Sequence, residues 1–191
     1  MSFWGIDCSF AFFTFTLEGR FYMLGTKVKE ILNEQINKEF YSAYLYLAMS
    51  AHLSDMGLYG FSRWCEIQSR EEIDHGMILV EYLLKHKEKI DLKNISSPQM
   101  NFNSPLEIFE QIYNHEREIT RSIDSIAVKS DEECDFATRN FIDWYLKEQI
   151  EEEDHTLRII SKLKAFGSEK SSLYLMDKEL GQREYHQSFY Q

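Results

Sequence analysis

Glu72-Ile73-Asp74-His75 sets a carboxylate and an imidazole three residues apart, one turn from each other on one helix face, which is a chelating arrangement. Gln149 and Glu152 repeat the spacing within Gln149-Ile150-Glu151-Glu152. Two further carboxylates stand where a helical pattern calls for core residues. Glu39 shares its face with Leu32, Ile36, Ala43, Tyr46 and Leu47, and Glu116 lies on the stripe of Ile108, Phe109, Ile112, Tyr113, Ile119 and Ile123. Glu39 precedes Glu72 by 33 residues, and Glu116 precedes Gln149 by 33 as well. A lone acidic residue reads as part of a solvated face; four carboxylates on matched inward faces do not. Burying them together costs many kcal/mol unless cations compensate. A pair of metal ions resolves the cost, and carboxylate ligands with an imidazole favour iron or manganese over structural zinc. Glu152-Glu153-Asp154-His155 also has the Glu-x-x-His form, but its register lies a turn away, so His155 reads as an exposed or cavity-side residue.

The elements that would position these side chains are helices. Apolar residues recur at helical spacing from Lys27 to Asp55, and Gly57 and Gly60 break that run. A second helix is expected from Leu58 to Lys87 through Phe61, Trp64, Ile73, Leu79, Leu83 and Leu84. The polar stretch from Glu88 to Asn103, with Pro98, is too irregular for a helix. Extended at ~3.3 Å per residue it spans ~50 Å, the length of a long helix. Ser104, Pro105 and Glu107 spell a helix start, and the same spacing at Ser130 and Glu133 predicts that the fourth helix opens there and runs to Gly167. A short fifth helix, capped by Ser168, carries Leu173, Leu175, Met176 and Leu180 up to Gly181. The midpoints between paired ligands fall beside the two interhelix turns, so the ligands sit level, halfway along antiparallel hairpins. The fold class is all-α, a four-helix bundle with a long second-to-third crossover and a short C-terminal helix.

Composition agrees. Eight glycines and two prolines in 191 residues leave little turn chemistry for an all-β fold. With 32 acidic and 21 basic residues the net charge is -11, which disfavours nucleic acid and favours cations as clients. Cys8, Cys65 and Cys134 lack metal-ligand spacing and read as buried or idle thiols of a reducing cytosol. Residues 1–22, crowded with phenylalanine, form an atypical extension; they are too short in apolar run for a membrane span and lack a signal-peptide pattern, and Met23 reads as an internal start. Residues 23–184 form one domain and 185–191 a tail.

At the ligand positions the chain resembles the bacterial-type non-haem ferritins, through Asn33 to Ser42, Glu71-Glu72-Ile73-Asp74-His75, His115-Glu116, Trp144 to Glu153 and Asp177-Lys178-Glu179-Leu180. The resemblance implies that Glu39, Glu72 and His75 hold a first iron, with Glu72 bridging. It implies that Glu116 and Glu152 hold a second with Gln149 beside it, and that Tyr46 stands next to the centre. Glu71, Glu148 and Glu151, with Glu152 shared, resemble a third iron site facing the cavity. Haem is not expected, because bacterioferritins have a methionine where this chain has Ile73 and a histidine where it has Glu152. Arg139 and Ile142 align with the acidic three-fold channel positions of animal ferritins. The implied activity is a cytoplasmic ferroxidase that oxidises iron(II) with oxygen or hydrogen peroxide inside a homo-oligomeric shell of 24 subunits. The alternative is a non-cage di-iron redox enzyme of peroxidase type.

Overall fold

The computed structural model describes residues 24–98 and 101–188, so the expectations for residues 1–22, for Met23 as a start and for Cys8 lie outside the described residues. Five helices follow in order: α1 Thr26–Asp55, α2 Tyr59–Lys85, α3 Pro105–Glu132, α4 Phe136–Phe166 and α5 Lys170–Leu180. α1 packs on α2 and α3 on α4, and the two hairpins join mainly through α1 and α3. The fold is the expected all-α bundle with a short fifth helix.

Two apolar clusters fill the bundle. One gathers Met49, Leu53, Phe61, Trp64, Phe109, Ile112, Ile160 and Met176. The other gathers Val28, Leu32, Ile36, Leu79, Leu83, Ile119, Ile123, Phe141, Ile142 and Tyr145. Between them the inward positions of all four long helices are polar: Glu39, Glu72, Glu116, Gln149 and Glu152 are all buried. The apolar ends hold the helices together and the middle is left for chemistry.

Several local expectations need correction. Leu47, Ile73, Leu84 and Leu157 are exposed rather than in the core, because the inward stripe of each helix is narrower than its run of apolar residues. Ser130 does not open α4. It lies buried in the last turns of α3 and donates to Ile126 O; the cap is Asp135, which accepts from Thr138 N. Ser168 is not the cap of α5, whose N-cap is Glu169 without a side-chain hydrogen bond. Ser104 does cap α3, accepting from Glu107 N at 3.2 Å, while the Glu107 carboxylate returns to Asn103 N. Cys65 is a buried free thiol, but Cys134 is disulfide-bonded and not idle.

Gly57, at φ +77, makes the α1–α2 turn. Gly60 does not break a helix; it sits in the first turn of α2, where a Cβ would lie 1.6 Å from Asp177 O of α5. That close approach lets the Asp177 carboxylate accept from Gly60 N and Phe61 N at 2.7 and 3.0 Å. α2 has no cap from its own N-cap residue, Leu58, so α5 supplies one across the fold.

The crossover from α2 to α3 runs extended along α1 and is held by a ladder. Asn33 exchanges hydrogen bonds with Lys89 O and Asp91 N, and Asn37 with Asp91 O and Lys93 N. Four helical residues rise ~6 Å and two extended residues nearly as much, so the two rungs match. The residues after α5 turn back onto α2: Arg183 reaches Glu71, and Tyr185 Oη and Ser188 N both donate to Asp74. Tyr185 and Ser188 are therefore tied to α2, while His186 and Gln187 stay exposed.

Candidate metal centre

The ligand atoms of Glu39, Glu72 and His75 all lie within 4.8 Å of one another, and all three side chains are buried. α1 delivers Glu39, and one turn of α2 delivers the other two. His75 Nδ1 stands 3.6 Å from Glu72 Oε2, too far for a hydrogen bond and suited to two donors around one ion. One oxygen of Glu39 accepts from Gln35 Nε2 at 2.7 Å, while Oε2 is buried with no partner. An orphaned carboxylate oxygen is costly unless something positive completes it. The residues present therefore fit a hard divalent cation.

The expected second set lies on α3 and α4. Glu116 accepts a short hydrogen bond from Tyr46 Oη at one oxygen and one from Gln149 Nε2, at 3.1 Å, at the other. Glu152 is buried close enough to raise the proton affinity of both Glu72 and Glu116. The structure thus brings Glu39, Glu72, His75, Glu116, Gln149, Glu152 and Tyr46 into one polar layer. Burial, then the charge of Glu72, pushes Glu39 up to about 8. Burial, then Glu152, pushes Glu116 up to about 8, and burial followed by Glu116 holds Glu72 well above the usual carboxylate range. Desolvation keeps Tyr46 a protonated donor. Stacked acids that prefer to stay neutral without a cation make a site whose metal uptake expels protons.

The remaining candidates are arranged differently. Among the described residues Glu71, Glu148 and Glu151 do not form a second close metal-ligand group. Glu71 pairs with Arg183 at 2.5 Å and is raised by burial to about 7, Glu148 is half-buried and raised chiefly by burial, and Glu151 is exposed. His155 is exposed, as its off-register spacing predicts. Ile142 is fully buried and cannot line a channel, while Arg139 pairs with Asp143 and Asp131.

Some contributors were missed in the sequence. Gln35 and Gln68 each stand four residues before a ligand, and Gln68 Nε2 donates to Glu72 Oε1 at 3.3 Å; that repeated offset was the available signal. Tyr145 Oη donates to His75 O at 2.6 Å, and Trp144 and Tyr145 meet the imidazole edge-on, fixing its place. His115, read as an ordinary histidine, is buried against Ser42 at 2.7 Å, and desolvation lowers it to about 4.

Comparison with known proteins places this geometry. Residues 29–166 match the ferritin-like domain family. The chain is 39% identical over 155 residues to the bacterial non-heme ferritin of Campylobacter jejuni, covering 81% of this chain and 93% of that protein. It is 34% identical over 161 residues to the bacterial non-heme ferritin of Staphylococcus aureus, covering 84% and 97%. Among solved structures, the open-pore ferritin of the archaeon Archaeoglobus fulgidus superposes with a TM-score of 0.83 at 40% identity, covering 85% of this chain and 99% of that one.

Proposed function

Because the chain belongs to the ferritin family, we propose that it stores and detoxifies iron, oxidising iron(II) at a two-iron site in the bundle and retaining the ferric product in a closed shell of its own copies. The observation that carries this reading is the buried Glu39, Glu72 and His75 group with the unpartnered Oε2 of Glu39. Iron is the substrate, each iron(II) giving one electron to oxygen or hydrogen peroxide.

Glu39, Glu72 and His75 receive the first ion, and Glu72 reaches the second, held by Glu116 and Glu152 with Gln149 beside it. The anionic ligands favour the more highly charged iron(III), since added charge on the ion is better balanced by carboxylates than by neutral donors. Tyr46 keeps its proton and holds Glu116 in place. Carboxylate and amide donors in the second set bind weakly enough to release product. A third site at Glu71, Glu148 and Glu151 requires Glu71 to give up its pair with Arg183. An assembly of 24 copies completes the proposal; no described helix is long and apolar enough to cross a membrane.

The test is aerobic loading of the purified full chain with excess iron(II), followed by sedimentation and iron co-elution, beside a chain carrying Glu72→Ala and His75→Ala. A large iron-filled particle whose rapid initial oxidation disappears in the variant supports storage. A small oligomer that keeps only its bundle-bound iron refutes it in favour of a non-cage redox enzyme.

A further inference from the structure

Two surface cations reach the ligand carboxylates through paired amides. On one side Lys38 Nζ donates to Ser122 Oγ at 2.5 Å, Ser122 Oγ donates to Gln35 Oε1 at 2.5 Å, and Gln35 Nε2 donates to Glu39 Oε1 at 2.7 Å. On the other, Arg183 Nη1 donates to Gln68 Oε1 at 2.8 Å, and Gln68 Nε2 donates to Glu72 Oε1 at 3.3 Å. Both glutamines are fully buried. Arg183 is further held over the Trp64 ring at 4.7 Å and against Glu71.

An amide has a donor end and an acceptor end that exchange on rotation. Only the orientation with N–H toward the carboxylate is attractive; the reverse sets two oxygens against each other. A donor at Oε1, charged in one arm and polarised by a charge in the other, selects that orientation and strengthens the next bond. Each carboxylate is thereby anchored by Oε1, leaving Glu39 Oε2 unpartnered and Glu72 Oε2 facing His75. We propose that Lys38 with Ser122, and Arg183, are positioning residues that lock Gln35 and Gln68 so that Glu39 and Glu72 each present one free oxygen to the metal. The inference rests on the reading of this cluster as an iron site.

The sign of the effect separates positioning from simple charge. A lysine or arginine acting only as a nearby positive charge repels a metal ion, so its removal tightens metal binding. A positioning residue has the opposite effect.

The measurement is the affinity of the full-length apoprotein for its first equivalent of cobalt(II), a redox-stable probe read by its visible d–d band against a competing chelator. Ser122→Ala, which changes no charge, Lys38→Met and Arg183→Met should each weaken it about tenfold, the scale of outer-shell effects on metal sites. Ser122→Thr should restore it. Ser122→Ala should add nothing to Gln35→Leu, nor Arg183→Met to Gln68→Leu. Unchanged or tighter binding in the three single variants, with the band intact and still lost on His75→Ala, overturns the relay while leaving the metal site standing. Absence of any His75-dependent band in the unsubstituted chain overturns both.

Discussion

Glu39→Gln should stabilise the metal-free protein, and by an amount set by pH. Burial, followed by the charge of Glu72, raises Glu39 from 4.5 to about 8. Between those values the folded chain holds a proton that the unfolded chain has released. Stability therefore falls as pH rises through the window, opposite to the usual salt-bridged carboxylate. Glutamine mimics the neutral acid, and its amide oxygen can still accept from Gln35. At ~1.4 kcal/mol per pH unit, the gain should be near zero at pH 4.5, about 3 kcal/mol per subunit at pH 7 and level off above pH 8. That corresponds to roughly 10 °C in Tm for a chain of this size. The assay is thermal unfolding of both chelator-treated proteins from pH 5 to 8.5, at one protein concentration because assembly moves Tm. Added cobalt(II) should reverse the order, since the variant loses an anionic ligand. A Tm difference that is flat with pH, or a variant less stable at pH 8, would refute the assignment of Glu39 as a strained acid awaiting a cation.

Other outcomes follow from the same structure. Cobalt(II) binding should release protons, more at pH 6.5 than at pH 9, because burial pushes Glu39 and Glu116 up to about 8; calorimetry in two buffers of different ionisation enthalpy measures this. Gly60→Ala places a Cβ against the Asp177 backbone and should detach α5, costing on the order of 3 kcal/mol and exposing residues 170–188 to limited proteolysis. Ser104→Ala removes the cap of α3 and should cost about 1 kcal/mol in denaturant unfolding without altering cobalt(II) affinity. Tyr46→Phe should spare the first cobalt(II) equivalent and weaken the second, because Glu116 loses the donor on one oxygen.

The bundle was legible because its signals are periodic. Inward Glu39, Glu72, Glu116 and Gln149 break an apolar stripe at equal separations, and chain geometry leaves few ways to satisfy that. Caps were legible only in part. Ser104 and Ser130 carry the same local pattern, yet Ser130 is consumed by the tertiary packing of α3 and Asp135 takes the capping role. Exposed Leu47, Ile73 and Leu84 were misplaced because local periodicity does not say how wide a face the neighbouring helices cover. Arg183 could not be foreseen: its meeting with Gln68 and Glu71 spans more than a hundred residues and depends on where α5 docks.

That docking also orders events in time. The first turn of α2 has its cap only when Asp177, 117 residues downstream of Gly60, has been made. At the ~5–20 residues per second of synthesis, α2 waits roughly 6 to 25 s with its leading amides open to solvent. A nascent chain can therefore fold its first hairpin early, but that hairpin reaches full helical stability only once Asp177 has left the ribosome, so α5 acts as a completion signal for α2.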